Sequence, residues 1–499
     1  MSSYKDHILA RSHRNPCIDG LIKHLEDARV SRAPSTIVAI DYLPHSTKPP
    51  KSPYCRTVPE AELSRVLHDT SSVNGRILLV EDIQPRLVHL LGGALGLDPL
   101  FFAGHISTDA KDVEKGPASP SLALFPSQIA ERGLLHLHYQ QVVDLGSADD
   151  FKDCSYNLHT NSNIPRNVRR LPHLAGRQLG LARRCISAVV KNVGDSQSWT
   201  CLILCDSPIN TLIGIDSSGQ QRTYASRPLH RGFEDFFEPP PYDSAASPAG
   251  HDQTPPAERS TLDSLVRYFC NKPPPGFQAA SPSILSLGYY PTRIALAEWN
   301  IYIRLVSRYF KYHEYTIQDN DTRLHDNDIA DLQRWRRRTM QSQKKLTMLS
   351  TFIEYWLPEE TEKRHWEQAL KDIDYIRAEL EQTHRSLEQV IPVVASMVQL
   401  LETRRSIMKA TNVTKLTYTA LIFVPLSWVT GLFSMAEGYS PGGDRFWVYF
   451  ATALPVLGVA LLGSAVEWSR AAAWLKGIIA DMFKWQLADK KRKMQVGSV

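Results

Sequence analysis

The sequence predicts an α+β membrane protein with a cytosolic mixed α/β domain, a long stalk helix and a C-terminal hairpin of two transmembrane helices. Three observations predict this fold class. Apolar runs of strand length occur in the first half, a heptad-spaced stretch without glycine follows, and two uncharged apolar runs lie near the C-terminus. The overall composition, 22% charged and 43% hydrophobic over 499 residues, hides these runs because the apolar residues are concentrated near one end.

The predicted cytosolic domain covers residues 1–235 and contains five candidate strands. They are STIVAIDYL (35–43), RILLVEDI (76–83), LLHLHYQQVVDL (134–145), RCISAVVKNV (184–193) and WTCLILCD (199–206). A short helix is predicted from Pro85 to Leu95, ending at Gly96. The N-terminus lacks the apolar core of a secretory signal, and seven cysteines, an odd number, fit a reducing compartment. We therefore expect this domain in the cytosol.

Residues 236–282 are predicted to be a Pro-rich disordered insertion, because EPPPYDSAASPAGHDQTPPAE (238–258) is too polar and proline-rich to pack. Residues 283–415 form the predicted helical region and stalk helix. Its apolar series is spaced by seven: Trp366, Ile373, Leu380, Leu387, Val394, Leu401 and Met408. Polar residues interrupt the intervening positions, so we expect the helix to pack against several neighbours rather than form a simple dimeric coiled coil. Pro392 is a candidate bend.

The two uncharged runs are assigned to transmembrane helices at 416–435 and 446–466, joined by an extracytosolic loop at 436–445. A run of about 20 residues crosses a hydrocarbon core of ~30 Å. Basic residues precede the first span and fill the tail at 467–499, whereas the loop contains only Arg445. Basic residues stay on the cytoplasmic side, so both termini are expected there. The alternative, a buried helical pair in a soluble core, is disfavoured because two such adjacent runs are rare in soluble domains.

Enzyme signatures are weak, and we expect neither an enzyme nor a cofactor. GGALG (92–96) fits a helix C-cap better than a phosphate loop. His136 and His138 share one strand face and could hold a metal, but a surface or interface pair is favoured without a third ligand. Cys201 and Cys205 are expected to be buried thiols. The basic stretch at 334–338 is expected to be a solvated face, and a net charge of +5 does not indicate nucleic acid.

Two segments resemble the CorA family of magnesium channels, within the CorA/ZntB superfamily and its fungal-type branch. They are TYTALIFVPLSWVTGLFSMAEG (417–438), followed by a short loop and second span, and LLVEDIQPRLVHLLGGALGLDPLFFAGHI (78–106). The resemblance implies a homopentamer with a cytosolic funnel, a pore-lining first span and an outer second span. It also implies a divalent cation as the transported ion and a candidate regulatory ligand. The plasma membrane is the expected location rather than an organelle.

A small, weakly polar face of the first span is the expected pore lining. Alternating steps of three and four place Val413, Thr417, Ala420, Val424, Ser427, Gly431 and Ser434 on this face. Val413, Leu416 and Val424 are candidate hydrophobic constrictions that would close by dewetting. Pro425 matches a proline of the family's first span. Small residues also favour helix–helix packing, which stays open as the alternative for this face.

The end of the first span, which would form the mouth of the pore, departs from the family's Gly-Met-Asn signature. The matching positions are Ser434, Met435 and Ala436. Ala436 lacks the side-chain oxygen that an asparagine would present to hydrated magnesium. Ser434 could supply a weaker ring of oxygens, and Glu437 would add a ring of carboxylates. The leading hypothesis is a CorA-like divalent metal cation transporter. The alternatives are a membrane-anchored oligomeric sensor or scaffold that has lost conduction and, less favoured, an enzyme tethered by its tail.

Overall fold

The structure is a computed structural model that describes residues 3–27, 33–43, 53–69, 73–107, 120, 123–151, 154–192, 198–216, 218–233, 260–319, 326–434 and 445–465. The chain divides into two compact units, Met1–Val394 and Ala395–Val499.

Eleven helices and eleven strands are described. The α-helices are α1 (Tyr4–Arg14), α2 (Asp19–Glu26), α3 (Glu60–His68), α4 (Pro85–Ala94), α5 (Pro99–Ile106), α6 (Pro126–Glu131), α7 (Thr261–Asn271), α8 (Ile284–Asp319), α9 (Asp326–Trp356), α10 (Lys363–Phe433) and α11 (Trp447–Ala465). The strands are β1 (Thr36–Tyr42), β2 (Tyr54–Thr57), β3 (Gly75–Glu81), β4 (Leu135–Ser147), β5 (Asn157–Thr160), β6 (Asn167–Arg170), β7 (Arg177–Asn192), β8 (Trp199–Cys205), β9 (Thr211–Ile215), β10 (Gln221–Ala225) and β11 (Arg227–Pro228).

The eleven strands form one mixed sheet in the first unit, with the order β10-β9-β5-β6-β7-β8-β3-β1-β2 and with β4 paired to β7 and β11. Among the described strand pairs only β3 and β8 run parallel. The long pair of β4 and β7 holds the sheet together from Leu135↔Ala188 to Ser147↔Arg177. A bulge interrupts this pair after Asp144, where Gly146 takes a φ of +102° that a side chain would disfavour.

All five predicted strands are confirmed as β1, β3, β4, β7 and β8, and the predicted helix after the second of them is α4. Strands β1, β3 and β8 are buried along nearly their whole length, which explains their almost continuous apolar sequences. Helices α1 to α5 supply the rest of this core, including Leu87, Leu91 and Phe101. Cys201 and Cys205 are buried thiols in β8, as predicted.

The predicted insertion extends too far towards the C-terminus. Its proline-rich part, 238–258, lies outside the described residues, but α7 occupies positions 261–271 within it. Ser260 caps this helix, since its hydroxyl accepts from the Asp263 amide and the Asp263 carboxylate accepts from the Ser260 amide. Leu265 and Phe269 are buried one turn apart. The disorder prediction is wrong for residues 260–282, because the prolines on either side obscure a short amphipathic helix.

Within the first unit, the start of α10 packs against α8 and α9. The heptad residues from Trp366 to Val394 are at most 1% exposed, so the predicted apolar seam is confirmed over this part. The Trp366 ring meets Tyr289 of α8 edge-on at 5.7 Å. Polar contacts flank the seam, including Gln343 Nε2 donating to Glu381 Oε2 over 2.7 Å. As the polar interruptions predicted, the helix has several neighbours.

Candidate functional site

The apolar end of α10 is the first feature of the predicted ion pathway that the structure describes. α10 continues to Phe433 and includes Pro392 and Pro425. Among the described helices, α10 alone contains an 18-residue window long and apolar enough to cross a membrane, and only 6% of that window is buried. Helix α11 has a shorter apolar segment, Trp447–Leu462. The alternative of a buried helical pair is therefore not what this chain forms by itself.

One side of the α10 end packs on α11. Val429 of α10 and Ala453 of α11 are each 3% exposed, in contrast to most of their neighbours. The Thr430 and Tyr449 hydroxyls share a hydrogen bond of 3.0 Å, and the Phe433 ring meets Tyr449 edge-on at 6.0 Å. These contacts define the side of α10 that the second helix covers.

The residues expected to line a pore lie on the other side of α10. At ~100° per residue, Val424, Ser427 and Gly431 lie roughly 140° to 160° around the helix from Val429. The structure leaves this whole set exposed: Val413, Leu416, Thr417, Ala420, Val424, Ser427, Gly431 and Ser434. Pro425 lies towards α11 and is half-buried. Helical spacing thus puts the predicted residues on one face of α10, and this face stays a prediction as the pore lining, because residues 402–420 are exposed on every side of the helix.

The hydroxyls on this face donate to the helix backbone. Thr417 Oγ1 donates to the Val413 carbonyl over 2.9 Å, and Ser427 Oγ donates to the Val424 carbonyl over 2.9 Å. A hydroxyl has one proton and two acceptor lone pairs, so each oxygen keeps its acceptor capacity for another group. Such oxygens can accept hydrogen bonds from the water shell of a cation.

Only the first residue of the predicted mouth is described. The Ser434 amide donates to the Thr430 carbonyl over 2.9 Å, which ends the helix. Met435, Ala436 and Glu437 lie outside the described residues, as do the loop up to 444 and the tail from 466. Among the described residues, no group of three His, Cys, Asp or Glu side chains could hold a metal ion.

The histidines of β4, His136 and His138, are half-buried, and the ring of His136 contacts Phe101 of α5, so the predicted surface pair is partly covered by the fold. The two histidine rings stack at 6.1 Å, and His136 Nδ1 lies 2.8 Å from Ser187 Oγ. The same hydroxyl lies 3.0 Å from His105 Nδ1 on α5. Burial lowers the pKa of His136 to about 4 and that of His105 to about 3, so both rings are neutral at physiological pH. The alternation along the strand predicted that the two histidines share a face, but it could not predict that a helix packs against this face.

A buried ion-pair network lies beside these histidines at the end of β8. Asp206 accepts from Arg166 Nη2 over 2.7 Å and from the Cys185 amide over 2.8 Å, and Arg184 Nε lies 3.9 Å away. Burial alone would raise the pKa of Asp206, but Arg166 and Arg184 together hold it below its usual value. The sequence gave no signal for this network, because its members are separated by up to 40 positions.

Comparison with known proteins supports the resemblance in part of the chain. The family profile described as "CorA-like Mg2+ transporter protein" matches residues 293–468, about a third of the chain, so the resemblance is confirmed over these residues. No curated protein matches the chain. The CorA magnesium transporter from Methanocaldococcus jannaschii aligns at 12% identity and a TM-score of 0.34, covering 85% of this chain and 96% of its own. The full-length CmaX protein aligns at 13% identity and a TM-score of 0.35, covering 86% of this chain and 96% of its own.

Proposed function

We propose that this protein transports divalent metal cations, magnesium or a related ion, through a central pore formed by several copies of the chain. The observation that carries the proposal is the CorA-like family match over residues 293–468, which includes the whole apolar end of α10 and all of α11. Two apolar helices per chain cannot enclose a water-filled path and shield it from lipid, so several copies must assemble. The family resemblance sets the number at five.

The exposed face of α10 is proposed to line the pore. It lies opposite the side that packs on α11, so α10 can form an inner ring while α11 lies outside. Val413, Leu416 and Val424 are 62%, 70% and 64% exposed and would form apolar constrictions between the hydroxyl-bearing turns. Both termini are proposed to lie in the cytoplasm, with the loop at 436–445 on the opposite side.

Flux into liposomes tests the proposal. Purified protein reconstituted into liposomes should admit magnesium, zinc, nickel or cobalt, followed by an ion-sensitive dye inside the vesicles. Native mass spectrometry of the same preparation should give a pentamer. A stable monomer, or no flux of any of the four ions from a pentamer, would overturn the transporter assignment.

The second candidate is a sensor or scaffold of the same architecture that does not conduct. The observation favouring it is Ser434-Met435-Ala436 in place of Gly-Met-Asn, since Ala436 has no oxygen to offer a hydrated ion. Ser434→Gly combined with Ala436→Asn restores the family signature. On a transporter this double change should shift ion preference towards magnesium. A non-conducting wild type in which the double variant gains flux would support the scaffold instead.

A further inference from the structure

A cavity of about 150 Å³ lies within the first unit, on the inner side of α9. Residues from α5, α6, β4, β7, α8 and α9 line it. Most are apolar, among them Leu134, Leu137, Trp299, Leu346, Leu349 and Phe352. A cavity of about this size lined only by apolar residues accepts benzene. The apolar wall therefore fits a body of about one aromatic ring.

The polar residues of the lining are all cationic or neutral. They include Arg183, Lys344, Lys345, His136 and His138, and the described lining contains no aspartate or glutamate. Lys345 has no carboxylate partner among the residues that the structure describes. His138 Nδ1 is buried and has no hydrogen-bond partner there. An ammonium without a carboxylate partner beside an apolar wall favours a bound anion at that point.

A smaller pocket of about 20 Å³ adjoins the cavity and shares Arg183, Gln341 and Lys345 with it. Arg169 and Arg338 complete its basic lining, and again no acidic residue is among the described ones. Arg338 already donates to the Tyr156 hydroxyl over 2.7 Å, which fixes its position. Four cationic side chains thus converge beside one end of an apolar cavity.

We propose that these two pockets form a binding site for a small organic anion. Its apolar body, of about one ring, fills the larger cavity, and its carboxylate or phosphate pairs with Lys345 and Arg183 where the pockets meet. The site lies outside the proposed ion pathway and does not depend on conduction.

Protonation of Lys345 couples the site to pH. Burial, and then the nearby Arg183 and Arg166, lower the pKa of Lys345 to about 7. The other charged or titratable groups facing the cavity are Lys344 on α9, and His136 and His138 on β4. A bound anion favours the charged ammonium and raises its pKa, so binding should take up a proton above pH 7. Affinity should then fall as the pH rises from 7 to 9.

The test uses the full chain in detergent, titrated by calorimetry with benzoate, phenyl phosphate and the neutral benzyl alcohol. Wild type should bind benzoate or phenyl phosphate at least tenfold more tightly than benzyl alcohol. Tighter binding of benzoate would identify the anionic group of the ligand as a carboxylate, and tighter binding of phenyl phosphate would identify it as a phosphate. Lys345→Met keeps the side-chain length and removes the charge, and it should weaken anion binding at least tenfold. Lys371→Met, at an exposed position of α10, is the matched control and should bind as wild type.

A second variant keeps the test decisive if Lys345→Met fails to fold. Ala295→Leu adds bulk to the cavity wall and keeps every cation, so it should abolish binding of both anions. The proposal is overturned if neither anion binds wild type, or if benzyl alcohol binds as well as the anions. Equal anion binding by wild type and a folded Lys345→Met variant would also overturn it.

Discussion

The two parts of α10 carry similar apolar residues in opposite surroundings. Up to Val394 the heptad residues are buried against α8 and α9. Beyond it, Met408 is 60% exposed and Leu416 is 70% exposed. The spacing of apolar residues therefore shows which face of a helix avoids water, but not what covers that face. An apolar surface of this extent needs lipid or further copies of the chain around it.

Charges divide the molecule in the same way. The first unit buries charged groups and pairs them, as Asp206 does with Arg166. The exposed part of α10 from Leu416 to Phe433 contains no charged residue at all. The first unit thus contains buried charges that are paired with each other, whereas the end of α10 has no charged side chain to lose its hydration on entering a membrane.

The largest expected effect is on the buried charges of the first unit. Asp206→Asn should lower the free energy of unfolding by about 3–5 kcal/mol, because it leaves Arg166 and Arg184 buried without a counter-charge. Denaturant unfolding in detergent, followed by circular dichroism, measures the change. Asp331→Asn breaks an ion pair in which Arg334 is 46% exposed, and it should cost at most about 1 kcal/mol. Equal effects of the two changes would contradict the network's importance.

The same network predicts that the stability of the folded protein decreases at acidic pH. The pKa of Asp206 is held below its usual value in the folded state, so its contribution to stability is present above the unfolded pKa of about 3.9. That contribution is lost as the pH falls through the folded pKa. Wild type should therefore lose stability below about pH 4 more steeply than Asp206→Asn does.

The next effect compares the two parts of α10 by the same substitution. Ile373 is fully buried in the first part, and Ile407 is 59% exposed in the second. Ile373→Ala should cost about 2–5 kcal/mol of unfolding free energy, because it leaves a cavity against α8 and α9. Ile407→Ala should change it by no more than about 0.5 kcal/mol. An equal loss at both positions would contradict this difference and would mean that neighbouring copies of the chain bury Ile407.

The elements visible in the sequence were those with strong local periodicity. Strands such as WTCLILCD and the heptad series from Trp366 to Val394 were predicted correctly, because both faces or one whole face of each is apolar. The short strands β2, β5, β6, β9, β10 and β11 were missed. Each has only two to five residues, so its sequence carries little alternation.

One part of the candidate sites could be predicted from the sequence, and the other part could not. The exposed face of α10 follows from helical spacing, and α11 leaves it uncovered. The cavity beside Lys345 could not be predicted, because its lining comes from six elements spread between Leu100 and Phe352. A lysine inside RRTMQSQKKLTM is indistinguishable from a surface lysine until the sheet is placed against it. Convergence of distant residues leaves no local pattern.

A change in flux should separate the two sides of the exposed part of α10. Ser427→Cys lies on the proposed pore face, and Val429→Cys lies roughly 160° around the helix on the side that packs on α11, where Val429 is 3% exposed. A positively charged thiol reagent should reduce flux at least tenfold through Ser427→Cys, because it places a fixed cation in a narrow path. Val429→Cys should keep more than half of its flux. Wild type reports any effect on the seven native cysteines, and block of Val429→Cys alone would reverse the proposed orientation.

The smallest expected effect concerns Glu437, at the proposed mouth and outside the described residues. Five carboxylates around one axis would create a negative potential that concentrates divalent cations ahead of the pore. Glu437→Gln should therefore lower uptake a few-fold at low ion concentration and low salt. The difference should shrink as the ion saturates the pore, and also as salt shortens the Debye length to ~8–10 Å. Glu367→Gln makes the same charge change at an exposed position in the first part of α10 and should leave uptake unchanged. If both variants match wild type at normal expression and oligomer yield, the carboxylates point into bulk solvent, and the exposed face of α10 must select the ion without them.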